Sequence, residues 1–229
     1  MFVGHLAVAF AAKKAKPEVH VGWFIVAVSF VDLIWPILLL LGLERVEVEP
    51  GNTAFTPLAF VHYPWTHSLL MGFAWAAVLA GLARWRGVAR NGAALIGALV
   101  LSHWVLDFVT HRPDLPLWPH GGPLLGLGLW NSIGGTFAIE GAMWIVGIAM
   151  WYSACRPRGV GGWAAIVSFV LVSTVIWAGG AFAPPPPTAQ DVAVGALMGW
   201  IIVPWAWWIE RASAPRGSLR ENRPGAPAN

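Results

Sequence analysis

Charge is scarce in this sequence. Lys, Arg, Asp and Glu together make up 11% of its 229 residues, whereas 57% are hydrophobic. Soluble domains carry roughly 25% charged residues, so the composition excludes an ordinary soluble globule and argues for an integral membrane protein. Cysteine is scarcer still. Cys155 stands alone, which excludes an internal disulfide framework. A basic n-region and a cleavage motif are also missing from Met1-Phe2-Val3-Gly4-His5, so the start does not read as a removable signal peptide. The formal net charge of +3 does not point to nucleic acid, because the basic residues lie in short clusters at the ends of apolar runs and in the tail. No internal repeat and no second domain is visible.

What is present in excess is apolar length and aromatic side chains. The 16 tryptophans and 11 phenylalanines suit two interfacial belts, where amphipathic rings settle. A helix crossing ~30 Å of hydrocarbon needs about 20 mostly apolar residues. Six segments qualify: Val19–Leu43, Pro64–Ala83, Ala93–Thr110, Leu129–Tyr152, Trp163–Phe182 and Val192–Ile209. The run Met1–Ala12 is too short to span and reads as a half-inserted helix tucked against the bundle. The expected fold is therefore all-α: a polytopic membrane helical bundle of about six transmembrane helices plus that short N-terminal helix. It forms one domain over residues 1–211, followed by a disordered tail over 212–229 rich in Pro, Gly, Ser and Arg. Basic connections (Lys13 to Lys16, Arg84 to Arg90, Arg156 with Arg158, Arg211 onward) alternate strictly with the others, and the positive-inside rule places them, with the C-terminus, in the cytoplasm.

Against this background the ionisable residues inside the apolar runs stand out. They are Asp32 in the first, His67 with His62 at the head of the second, and His103 with Asp107 in the third. A carboxylate at the bilayer centre costs roughly 2.5–3.5 kcal/mol on insertion scales, so such residues have partners and mark function. His103 and Asp107, at i and i+4, project from one helix face one turn apart, and His111 continues the row. Pro36 lies four residues after Asp32, and its ring clashes with the carbonyl of residue 32, freeing that oxygen. Two ionised aspartates with neutral histidines would form a neutral site with one dication, whereas two unpartnered buried carboxylates repel. Nitrogen and oxygen ligands suit zinc, with manganese, iron or nickel as alternatives. Each piece also has a structural reading: an interhelical hydrogen bond for Asp32, a helix cap for His67, an i,i+4 bond for His103 and Asp107.

Gly4-His5, Asp32, the run His62-Tyr-Pro-Trp-Thr-His67-Ser-Leu-Leu, and Leu101-Ser-His103-Trp-Val-Leu-Asp107 leading to Pro116-Leu-Trp-Pro119 resemble the YdjM-like family of bacterial inner-membrane proteins, predicted to be metal-dependent hydrolases. The resemblance covers the first half of the chain. The ligand order is also similar to that of zinc-dependent phospholipase C, which implies Asp32, His67, His103 and Asp107 as ligands of one zinc, with His5 approaching a neighbouring ion bridged by Asp107. Tyr63-Pro64 stands where the family has Arg-Gly, and Thr136-x-x-x-Glu140 stands where the phospholipase has a later His-x-x-x-Glu.

The function expected from these residues is hydrolysis of a phosphoester or similar bond in a lipid or lipid-linked substrate by a metal-activated water. Metal ligands would come from His5, Asp32, His67, His103, Asp107 and His111. His62 or Glu140 would serve as general acid or base, and Arg112 would steady an anionic group. The implied location is a bacterial inner membrane, with membrane lipids as partners. Two other classes remain open: an intramembrane proton or metal-ion transporter, and a scaffold whose helices a closed metal site staples together.

Overall fold

The computed structural model of the protein describes residues 1–216. The chain opens with helix α1 (Val3–Ala15), whose first turn lies inside the bundle: Val3, His5, Leu6, Ala9 and Phe10 are all buried. Helix α2 (Val21–Leu40) follows, capped by the His20 ring, which accepts from the Gly22 amide at 3.0 Å, and it runs on through Pro36. A two-stranded antiparallel ribbon comes next, β1 (Arg45–Val48) with β2 (Leu58–His62), pairing Val46 with Phe60 and Val48 with Leu58.

The predicted span Pro64–Ala83 is not one helix. It consists of a single turn, α3 (Pro64–His67), and then α4 (Leu69–Trp85). Ser68 between them is extended (φ −75°, ψ 147°), and its hydroxyl caps α4 by accepting from the Met71 amide. Serine favours that role over a place in a helix interior, so the break is local chemistry that hydropathy alone does not see.

Helix α5 (Arg90–Thr110) packs along α4 and carries the His103–Asp107 pair. A second small ribbon, β3 (Leu115–Pro116) with β4 (Leu124–Leu125), leads through a 3-10 turn at Leu129–Asn131 into α6 (Ile133–Ala154). Strand β5 (Cys155–Pro157) connects to α7 (Gly159–Gly180). After Pro184–Pro187 comes α8 (Ala189–Leu197), a 3-10 segment at Met198–Ile201, and α9 (Ile202–Arg211). Pro204 accounts for that 3-10 segment: it has no N–H, and its ring crowds the carbonyl of Trp200. Finally β6 (Ser213–Pro215) pairs with β5, so residues 213–215 of the expected tail are ordered by backbone bonds, while residues 217–229 lie outside those described.

Among the described residues, five helices are long and apolar enough to cross a membrane: α2, α5, α6, α7 and the 23-residue stretch Ala189–Arg211. Helix α4 is apolar but shorter, at 17 residues, or about 26 Å at 1.5 Å per residue. The fold is thus a helical bundle with three two-stranded ribbons at its ends, features the all-α expectation omitted.

Helix α1 packs chiefly on α6, and also on α2 and α5. The close approach to α6 depends on Gly147, where a Cβ would fall 2.6 Å from the Ala7 Cα and 2.7 Å from its carbonyl oxygen. That contact fixes the depth of α1 and therefore the position of His5.

Candidate metal centre

Four separate elements deliver the ionisable side chains to one place. His5 comes from α1, Asp32 from α2, His67 from α3, and His103 with Asp107 from α5. His103 Nε2 lies 2.9 Å from Asp107 Oδ2 and 3.6 Å from Asp32 Oδ1. His67 Nε2 is 3.3 Å from Asp32 Oδ1 and 3.9 Å from Asp107 Oδ2, and His5 Nε2 is 3.1 Å from Asp107 Oδ1. The His5 and His103 rings stack at 3.9 Å. Among the described residues, two overlapping groups have ligand atoms close enough together to hold a metal ion: His5, His103 and Asp107, and Asp32, His67 and His103.

The protonation of two of these rings is set by partners outside the cluster. His103 Nδ1 lies 2.7 Å from the Val28 carbonyl, which can only accept, so Nδ1 carries a proton and Nε2 is the nitrogen left to face the carboxylates. His67 is set through a relay. Thr66 Oγ1 donates its one proton to Glu44 Oε2 at 2.7 Å, so it must accept from His67 Nδ1, also at 2.7 Å. Glu44 Oε1 holds the relay in place by accepting from the Thr66 amide at 2.9 Å. The result is that His67 Nε2, like His103 Nε2, is the ring nitrogen turned toward the two carboxylates. Such outer partners orient histidine ligands and fix their tautomers.

Two ring nitrogens of the cluster make no hydrogen bond among the described residues: His103 Nε2, which is buried without an aligned partner despite lying 2.9 Å from Asp107 Oδ2, and His5 Nδ1. One protein cation is present. The Met1 amino nitrogen lies 2.7 Å from Asp107 Oδ1 and 3.3 Å from Thr110 Oγ1. Two carboxylates and three imidazoles converge here. With the rings neutral, nitrogen lone pairs would face carboxylate oxygens, a repulsion that a divalent cation among them would remove. The residues therefore fit a metal ion.

A cavity of about 90 Å³ adjoins the cluster, lined by Asp32, Trp35, His67, Asp107, His111 and Trp130 among others. It is larger than the roughly 30 Å³ share of one liquid water. His111 takes part from across this space: it stands in neither ligand group. Its Nδ1 is 3.0 Å from Asp114 Oδ1, and the Tyr63 hydroxyl donates to the same carboxylate oxygen at 2.9 Å. Burial holds the His111 imidazole below its ordinary pKa, and burial beside Asp114 holds the Tyr63 phenol well above 10. The indole N–H groups of Trp35 and Trp130 are buried without partners.

Three of the sequence-predicted residues lie elsewhere. His62, at the end of β2, is exposed and lines a separate surface pocket of about 370 Å³ with Tyr63, Asp114, Trp118 and His120. Glu140 is fully buried in α6, and its Oε2 accepts from the Phe2 amide at 2.9 Å and the Gly4 amide at 3.4 Å. It acts as a cap for the first turn of α1, where a carboxylate meets the positive end of the helix dipole. Thr136 does not bond to it; the hydroxyl donates to the Leu129 carbonyl. Arg112 lies at the margin, its Nε donating to Asp114 Oδ2 at 3.3 Å, and it lines neither the cavity nor the surface pocket.

Sequence reasoning missed Glu44, Asp114 and the Val28 carbonyl. The His111-x-x-Asp114 spacing was a usable signal for the second of these. Nothing in the sequence marked Glu44, which shares its loop with Glu47 and Glu49. Comparison of the chain with protein-family models, with curated proteins and with solved structures gives no match.

Proposed function

We propose that the protein is a membrane-embedded, metal-dependent hydrolase that cleaves a phosphoester or related bond of a lipid or lipid-linked substrate. The observation that carries this reading is the convergence of three imidazoles, two of them oriented by outer partners, and two carboxylates beside a cavity. A structural metal site is closed by its protein ligands, whereas a catalytic one keeps room for water and substrate.

In this reading His5, Asp32, His67, His103 and Asp107 hold one or two divalent ions, zinc foremost given the donor set, with manganese, iron or nickel as alternatives. A bound dication supplies a lowered water pKa, toward ~7, and polarises the bond to be cleaved. The chain's own residues do the rest. His103 and His67 are locked as Nε2 ligands by Val28 and by the Thr66–Glu44 relay. His111, kept neutral by burial and oriented by Asp114 at Nδ1, is placed to accept a proton from water in the cavity. Trp35 and Trp130 offer two uncommitted N–H donors from its walls to substrate oxygens. His111 thus takes the acid–base role that the sequence assigned to His62 or Glu140.

The chain crosses a bacterial inner membrane six times in this reading, with α4 as the short span. The arginines around Arg84–Arg90 face the cytoplasm, and the cluster faces the outer half of the bilayer. The test is metal content of detergent-purified protein, followed by hydrolysis of a phospholipid panel after chelation and reloading. We expect near-stoichiometric metal in wild type, and loss of both metal and turnover in Asp107→Ala. Turnover retained in Asp107→Ala would sink the assignment. A folded wild type that takes up no metal from replete medium would do the same, leaving the cluster as an imidazole–carboxylate network between helices.

A further inference from the structure

The cluster is sealed on most sides and open on one. His5, His67, His103 and Asp107 have side chains no more than 5% exposed, but the Asp32 side chain is 44% exposed. What Asp32 faces is a groove of about 470 Å³ between α2, α7 and the α8–α9 stretch. That size lies within the roughly 300–1,000 Å³ typical of ligand pockets. His5 and Asp32 form its polar end, and Ser29 and Ser173 are its other hydrophilic side chains. Asp32 and Trp35 line both this groove and the small cavity beside the metal ligands, so the two spaces meet at those side chains.

The groove follows from the local sequence. The 3-10 segment before Pro204 interrupts the helix opposite α2, and Gly195 and Gly199 place no side chain into the gap. A Cβ at Gly195 would meet nothing within 4 Å, and one at Gly199 only Leu33 Cδ2 at 4.0 Å. Glycine inside a helix costs about 0.5–1 kcal/mol relative to alanine, so this space is kept at the expense of helix stability. Its rim is apolar and exposed: Val172 and Ile176 on one side, Met198 and Ile201 on the other. These side chains belong to helices long and apolar enough to span, so the groove opens sideways, at the depth where bilayer hydrocarbon lies. The surface pocket at His62 and His120, by contrast, includes none of the five ligands.

We propose that this groove holds an acyl chain of a membrane phospholipid, admitted laterally from the bilayer, and so brings the lipid's oxygen-rich head group against Asp32 and the metal ligands. The head group's fate there rests on the hydrolase reading; the seating of the chain does not. The occupant follows from what surrounds the rim: a groove at that depth meets bilayer hydrocarbon, and phospholipid, which supplies most of that hydrocarbon, joins such a chain to an anion suited to a bound dication.

The test uses the full chain in nanodiscs of phosphatidylethanolamine and phosphatidylglycerol, doped with phosphatidylglycerol bearing a diazirine on one acyl chain. Crosslinks are mapped by mass spectrometry, and metal content is measured on the same samples. We expect labelling at Val172, Ile176 and Ile202 to exceed that at Val78, Val105 and Ile145, exposed apolar positions on other helices, by at least fivefold. Gly199→Phe fills the groove and should cut the groove labels about tenfold while leaving the others unchanged. Gly195→Ala, which adds only a methyl, should leave them intact, and Asp107→Ala should lose metal but keep the labels. Uniform labelling of all exposed helices would overturn the proposal, as would groove labelling unchanged in folded Gly199→Phe. A wild type with groove labels but no metal would refute the hydrolase reading and leave the lipid site standing.

Discussion

Two buried ionic clusters sit at opposite ends of α1, and they differ in how fully their polar atoms are used. At the C-terminal end, Lys13 Nζ donates to the Pro17 and Val19 carbonyls, each at 2.9 Å, and to Glu210 Oε1 at 2.7 Å. Glu210 Oε2 accepts from the Val21 amide at 2.9 Å. All three ammonium protons and both carboxylate oxygens are engaged, and α1, α2 and α9 are tied together. At the N-terminal end, His5, His103 and Asp107 are as deeply buried, yet His5 Nδ1 and His103 Nε2 remain unspent, the latter among carboxylate oxygens. Burial and charge therefore do not distinguish the two clusters. Spare hydrogen-bonding capacity does, because a satisfied network has none left for a ligand.

That distinction can be broken most forcefully at Lys13. Lys13→Met leaves Glu210 without its buried partner and should destabilise the fold by about 3 kcal/mol, the lower end for breaking a buried pair because the Glu210 side chain is 25% exposed. Thermal unfolding in detergent measures this, and metal content per folded molecule should not change. A fall in metal content would show that the two ends of α1 are not independent.

A smaller effect is expected at Glu44, which touches no ligand atom. In Glu44→Gln the amide can donate to Thr66 Oγ1, turning the hydroxyl proton toward His67 Nδ1 and moving the ring proton to Nε2, the ligating atom. Metal affinity should fall about 10–100-fold, read by competition with a chromophoric chelator, with the fold intact. Unchanged affinity would remove the relay from the site. The smallest effect is predicted for His62→Ala: an exposed side chain away from the cluster should change stability by no more than about 0.5 kcal/mol and leave metal content as it was.

Much of the site was legible in the sequence because membrane-embedded charge is so costly that few residues carry it. Asp32, His67, His103 and Asp107 stood out against apolar runs, and the i,i+4 spacing of the last pair put them on one face. The bundle was legible for the same reason: long apolar runs leave little choice of fold. What stayed hidden depends on short-range or three-dimensional chemistry. The Ser68 break comes from a capping hydroxyl, the ribbons β1–β2 and β3–β4 from loop pairing, and the role of Glu44 from a bond to a residue 22 positions away. Glu140 stood out as a candidate acid or base, but only the packing of α1 on α6 reveals that it holds two backbone amides.

The contact between Ala7 and Gly147 also sets a clock. The helix that fixes the depth of His5 is made about 140 residues after it, roughly ten seconds of translation at the usual rates. Until α6 has entered the bilayer, α1 lacks its main partner and the cluster lacks one of its imidazoles. The nascent chain thus inserts α2, α4 and α5 without a finished centre, and the site matures only once α6 is in place.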